Sequence, residues 1–116
     1  VKVYEAMSLG ELITKLKEIG EAPVRGLDGE VDSYRGYYER NATTPCDSLF
    51  PASTLANAYR SEVGKAITGW KGGEYTVSAG ELIYYAQQGS TGPAICGLEL
   101  GADGVYELVG VVENFW

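Results

Sequence analysis

The clearest pattern in the chain is an apolar stripe near its start. Leu9, Leu12, Ile13 and Leu16 recur at i, i+3, i+4 and i+7, the spacing that lines one face of an α-helix. Ser8 and Glu11 stand ahead of it in capping-box spacing. Gly20 supplies a C-terminal stop, and Lys15 and Lys17 lie in the second half, where cations suit the helix dipole. The pattern predicts a helix over Leu9–Ile19.

Beyond Gly20 the period changes. Residues 22–27 read as a short strand closed by the turn pair Asp28-Gly29. Pro23 points that strand to a sheet edge, because it cannot donate to a ladder. Residues 31–38 read as a second strand, so the helix is followed by a hairpin. Residues 41–48 are polar and contain Pro45, and read as a loop. Pro51-Ala52-Ser53 opens a second predicted helix that runs to about Ala66. Leu55, Ala58, Tyr59 and Val63 keep one of its faces apolar, and Gly64 weakens its end.

A Gly-rich loop over 69–73 follows. Four apolar, tyrosine-bearing or β-branched runs come next, over 74–77, 82–87, Ala94–Leu100 and 105–112. Asp103-Gly104 between the last two is a strong hairpin signal. Together these elements predict an α+β domain: two helices packed on a mostly antiparallel sheet of five or six strands. No repeat or linker divides the chain, so residues 1–116 form a single domain.

Composition then narrows the function. The 116 residues are 45% hydrophobic and 22% charged, ordinary for a soluble globular protein. The net charge is −7, there is no histidine, and nine of the thirteen aromatic residues are tyrosine. Without histidine the commonest general base is missing, as are His-zinc, Ser–His and Cys–His sites. An acidic surface disfavours duplex nucleic acid, since counterion release needs clustered cations. Tyrosines, each with a flat apolar face and a polar tip, suit contact surfaces. No apolar run reaches the roughly 18–20 residues of a bilayer span, and no secretory signal is visible. The expectation is a cytoplasmic protein with no membrane partner and with Cys46 and Cys96 as reduced thiols. The missing first Met suggests a processed or recloned terminus. The final Phe115-Trp116 either docks on the body or on an oligomer, or precedes a further tail.

Three segments carry candidate binding chemistry. The densest is Ser33-Tyr34-Arg35-Gly36-Tyr37-Tyr38-Glu39-Arg40. On a strand, Arg35 and Tyr37 share one face, and Tyr34 and Tyr38 share the other. A guanidinium fork beside an aromatic plate suits a phosphate next to a base; the competing reading is a half-buried edge strand with solvated arginines. The second is Gly69-Trp70-Lys71-Gly72-Gly73. Amides of Gly72 and Gly73 can form an anion nest, Lys71 adds a charge and Trp70 a stacking plate, although the Walker spacing is absent. The competing reading is a turn whose Trp plugs the core. The third, Gly89-Ser90-Thr91-Gly92-Pro93, offers the Ser90 and Thr91 hydroxyls, and by itself reads as a turn. Arg25 is an isolated cation on the first strand. No carboxylate metal cluster and no activated nucleophile is visible, so neither a metal nor catalysis is expected. Glu81, Glu99, Asp103 and Glu107 read as a solvated acidic surface.

The Ser33–Glu39 and Gly69–Tyr75 motifs, with the opening helix Leu9-Gly10-Glu11-Leu12-Ile13-Thr14-Lys15-Leu16, resemble small phage-encoded proteins, many filed as hypothetical. Over about residues 7–112 the chain resembles the Thoeris anti-defence sponge family, first described type. The resemblance implies a non-enzymatic protein that traps a cyclic ADP-ribose isomer made by a bacterial TIR-domain enzyme. It also implies homo-oligomers and, in some members, uptake of cyclic oligonucleotides. Such a protein would act in the cytoplasm of the infected bacterial host and need no cofactor.

On this basis the expected function is sequestration of a cyclic nucleotide-type signal. Arg25 and Arg35 would pair with phosphates, and Tyr34, Tyr37, Tyr38 or Trp70 would stack the base. Lys71, Gly72 and Gly73 would hold the anionic part, and Ser90 and Thr91 would bond ribose or base edges. Two rivals stand beside it. One is an acidic inhibitor of a host defence complex, in the manner of an anti-CRISPR protein. The other is an enzyme acting on such nucleotides.

Overall fold

The structure is a computed structural model, which describes residues 6–33, 41–68, 74–86 and 92–111. The predicted stripe forms α1 (Leu9–Ile19), and its capping box is complete. Ser8 Oγ accepts from the Glu11 N–H at 3.1 Å, and Glu11 Oε1 accepts from the Ser8 N–H at 3.0 Å. Leu9, Leu12 and Leu16 are fully buried; burying each such side chain is worth about 1.5–3 kcal/mol. α2 (Ala52–Glu62) turns Leu55, Ala56 and Tyr59 inward. It ends before the expected Ala66. Val63 is extended, and the Gly64 N–H donates to the Val77 carbonyl at 2.9 Å, so the chain leaves the helix to meet the next strand.

The strands are β1 (Pro23–Arg25), β2 (Asp32–Ser33), β3 (Asn41–Thr43), β4 (Leu49–Pro51), β5 (Ala66–Thr68), β6 (Glu74–Thr76), β7 (Ile83–Tyr85), β8 (Ala94–Leu100) and β9 (Tyr106–Val111). Seven of them form one sheet in the order β2-β3-β7-β8-β9-β1-β4, and β5-β6 form a separate ribbon. The architecture is the expected α+β one. The sheet is mostly antiparallel, with parallel pairs only at β3-β7 and β1-β9 among the described strands. The expected hairpin at Asp103-Gly104 joins β8 and β9.

Two strands of the main sheet fall outside the runs read as strands. β3 lies in the stretch read as a loop, and β4 directly precedes the second helix. β3 is polar at Asn41 and Thr43 yet wholly buried. Those polar groups are satisfied by tertiary partners instead of water: Asn41 Nδ2 donates to the Ser78 carbonyl at 2.8 Å, and Thr43 Oγ1 to Asp28 Oδ1 at 3.0 Å. β1 is not an edge strand; it lies between β9 and β4. Pro23 is tolerated at its first position, opposite Pro51, so two residues without an N–H face each other. The edge is β4, and Pro51 leaves it with one donor fewer for a neighbouring strand. Nor do β1 and β2 form a hairpin, because β2 pairs with β3.

The main core combines both helices with Val24, Val31, Ile83, Ile95 and Leu98. A smaller cluster of Ala42, Tyr84, Ala86 and Ala94 forms separately. Alternation along β3 and β7 explains the division: Ala42 and Tyr84 are paired neighbours, whereas Thr43 reaches α2 at Tyr59.

Candidate functional site

The chain direction changes sharply after β1. Gly26 has φ +95°, and a Cβ there would lie 2.9 Å from the Tyr85 hydroxyl, so glycine is required both by backbone conformation and by space. The Tyr85 hydroxyl donates to the Gly26 carbonyl at 2.8 Å and accepts from the Cys46 N–H at 3.3 Å. One phenol therefore ties β7, the segment after β1 and the loop after β3 together. Burial, and then the nearby Cys46, Asp47 and Asp28, push the phenol above its ordinary range despite the Cys46 backbone bond. It stays a donor at physiological pH.

Around this junction lies an open cleft of about 230 Å³ that Arg25, Asp47, Tyr85, Glu107 and Leu108 help to line. The parallel register Val24↔Tyr106 sets Arg25 beside Glu107 on adjacent strands. Across β8–β9 the register continues to Glu99, opposite Glu107. The Arg25 guanidinium lies 3.7 Å from Asp103 Oδ2, with both side chains largely exposed. Asp103 is itself set by a turn, its Oδ1 accepting from the Val105 N–H at 3.1 Å. Arg25 thus sits among carboxylates, and a phosphate entering beside it would meet Asp47, Asp103 and Glu107.

A larger, open groove of about 580 Å³ runs along α1 past Met7, Glu11, Thr14, Lys15 and Glu18. Its polar groups are those of a solvated helix flank. Among the described residues no group of three or more His, Cys, Asp or Glu could hold a metal ion. No helix there is long and apolar enough to cross a membrane. Cys46 and Cys96 are free thiols, and burial raises Cys96 above its ordinary value.

Of the residues expected to bind a ligand, Arg25 is described. Tyr34, Arg35, Tyr37, Tyr38, Trp70, Lys71, Gly72, Gly73, Ser90 and Thr91 lie outside the described residues. The strands that flank them are informative. Ser33 pairs with Asn41, so the residues flanking 34–40 are adjacent. Thr68 pairs with Glu74, so the residues flanking 69–73 are adjacent too. β2 also lies close to β5. The described residues on either side of 87–91 lie elsewhere: the Tyr85 N–H donates to the Pro93 carbonyl at 2.8 Å, at the opposite end of the β3–β7 pair from Asn41. That end is the one Tyr85 joins to Gly26, beside Arg25.

Asp47, Tyr85 and Glu107 had no sequence signal as site residues. They come from three distant segments, and only the long-range pairing of β1 with β9 and the Tyr85–Gly26 bond bring them together. Alternation in Tyr106-Glu107-Leu108 would have placed Glu107 away from the core, and nothing more.

No protein-family model matches the chain, and neither a curated protein nor a solved structure matches it.

Proposed function

We propose that the protein binds and sequesters a small cyclic nucleotide-type signal without turning it over. The signal would be a cyclic ADP-ribose isomer or a cyclic oligonucleotide, and the protein a phage anti-defence factor acting in the cytoplasm of its bacterial host. The supporting observation is that β2, which leads into the first ligand-type motif, lies close to β5, which leads into the second. Arg35 and Lys71 carry the phosphates in this reading. Tyr34, Tyr37, Tyr38 or Trp70 stacks the base, and the Gly72 and Gly73 amides supply donors. Ser90 and Thr91 bond ribose or base edges, and Arg25 contributes from the cleft margin, tethered by Asp103. The protein acts as a homo-oligomer, with no cofactor.

Sequestration against a receptor demands tight binding, at about −12 kcal/mol for a nanomolar Kd. Thermal unfolding in the presence of cyclic ADP-ribose isomers and cyclic dinucleotides tests it. A ligand at about 1,000 times its Kd stabilises the fold by about 4 kcal/mol. The ligand must also be recovered unaltered after denaturation. No stabilisation by any of these compounds, or a chemically changed product, overturns the reading.

A second reading is favoured by β4. Leu49 and Phe50 on this edge strand are 51% and 37% exposed, beside an acidic open face with Glu107 and Asp103. An inhibitor that grips a host protein would use such a surface. Affinity capture from host lysate that recovers one stoichiometric protein, with no nucleotide released on heating, would favour it.

A further inference from the structure

Among the described residues, the cleft at the end of β1 is lined by more acceptors than cations. The Asp47 and Glu107 carboxylates line it, and Arg25, the guanidinium among those described, is drawn toward Asp103 at 3.7 Å. A phosphate would gain one partly engaged cation and face three carboxylates, a poor exchange at these distances. A hydroxyl donor faces no such penalty, and hydrogen bonds to charged acceptors are the strong ones. Size adds a second constraint. The cleft's 230 Å³ falls below the roughly 300 Å³ at which pockets begin to enclose a whole drug-sized ligand. It therefore takes one moiety of a larger molecule.

Among the parts of a nucleotide, the ribose is the neutral, donor-rich one. Its vicinal hydroxyls match carboxylate acceptors, the same chemistry by which an acidic side chain holds a ribose hydroxyl in dinucleotide-binding folds. We infer that this cleft is a ribose subsite: Asp47 and Glu107 accept from the vicinal diol, Arg25 donates to a ribose oxygen, and Leu108 offers apolar surface to the C–H face of the ring. The Tyr85 hydroxyl, committed to Gly26 at 2.8 Å, holds the cleft's walls in place as a positioning residue. As to the biological ligand, this inference rests on the sequestration reading above; as to the chemistry of the cleft, it does not.

The experiment is a titration of the isotope-labelled full chain with methyl β-D-ribofuranoside, followed through the backbone amide resonances. Saturable shifts are expected at Gly26, Asp47, Glu107 and Leu108, with the 2,3-dideoxy analogue giving none. Asp47→Asn combined with Glu107→Gln should weaken the sugar about tenfold or more, with the remaining resonances unmoved as the check on folding. Equal shifts from the dideoxy analogue, no saturable response at these amides, or stronger binding of methylammonium there would each overturn the subsite. A cyclic nucleotide that stabilises the protein while leaving these amides unmoved also overturns it, and leaves sequestration standing. A diol-dependent sugar response with no stabilisation by any cyclic nucleotide keeps the subsite and removes the sequestration reading.

Discussion

The Tyr85 hydroxyl meets the Gly26 carbonyl oxygen at 2.8 Å, although β8 and β9 separate their strands in the sheet. The sheet curls enough for the ends of β7 and β1 to converge, and the cleft beside Arg25 exists because they do. Tyr85→Phe removes the donor for Gly26 and the acceptor for the Cys46 N–H. Partial access to water limits the loss, and about 1–2 kcal/mol is expected, read as a lower denaturant midpoint with an unchanged slope. Gly26→Ala costs more, because its Cβ enters a positive-φ position and meets the Tyr85 hydroxyl at 2.9 Å. In the Tyr85→Phe background that contact disappears. The two changes should therefore combine to less than their sum, with a coupling of about 0.5 kcal/mol or more; strict additivity would refute the contact.

Ser8 and Glu11 form reciprocal bonds at the start of α1. Ser8→Ala removes the cap from the Glu11 N–H and should destabilise the fold by about 1 kcal/mol. Glu11→Gln keeps the acceptor and should cost only a few tenths, the share owed to its charge at a helix N-terminus. Equal losses in the two thermal unfolding curves would mean that the Glu11 charge matters as much at this end as the Ser8 cap.

These elements differ in how far local sequence encodes them. α1 is readable because its stripe, cap and stop all sit within thirteen residues and agree with one another. The β8–β9 hairpin is readable for the same reason, through Asp103-Gly104. β3 is not, because Asn41 and Thr43 look like loop residues until their partners Ser78, Asp28 and Tyr59 are brought up from far along the chain. Pro23 misleads in the other direction: an edge was inferred from its missing donor, but at the first position of β1, ahead of the Val24↔Tyr106 pairing with β9, no donor is needed. The candidate motifs at 34–40 and 69–73 are read from residue type alone. The closeness of the strands that lead into them has no local signal, since it depends on β2 meeting β5. The cleft residues Asp47, Tyr85 and Glu107 share no local pattern at all.

Thr43 and Tyr59 share a hydrogen bond of 2.9 Å in the core, and Thr43 Oγ1 also reaches Asp28 at 3.0 Å. Burial holds the Tyr59 phenol far above its ordinary range, against the opposing pull of its bonds to Thr43 and the Gly29 backbone. Thr43→Val keeps the shape of the side chain but leaves the Tyr59 hydroxyl and the Asp28 carboxylate each short of a partner. It should cost about 2–3 kcal/mol. Adding Tyr59→Phe removes the stranded hydroxyl, so the double variant should be less destabilised than the sum of the singles, as chemical denaturation of all four proteins would show.

Asp32 on β2 stands near Asp28 and Glu62, and the Lys65 ammonium lies 2.7 Å from Glu62. Burial first, then Asp28 and Glu62, raise the Asp32 carboxyl above its ordinary 3.8. The folded state therefore holds this proton more tightly than the unfolded chain. Its contribution to stability is complete below about 3.8 and is lost as pH rises through the elevated folded value. At neutral pH the ionised group destabilises the junction of β2 with the end of α2. Asp32→Asn removes that charge while keeping the size of the side chain. The variant should melt above the parent at pH 7, and its advantage should shrink steadily as pH falls toward 4. An advantage that is independent of pH would mean that the amide gains a new hydrogen bond, and that repulsion from Asp28 and Glu62 is not the cause. Because β2 leads directly into the segment bearing Tyr34 and Arg35, the same variant also tests whether a firmer β2 tightens ligand binding. If it does, the Kd for any cyclic nucleotide found to stabilise the protein should fall at pH 7 and converge with that of the parent at acid pH.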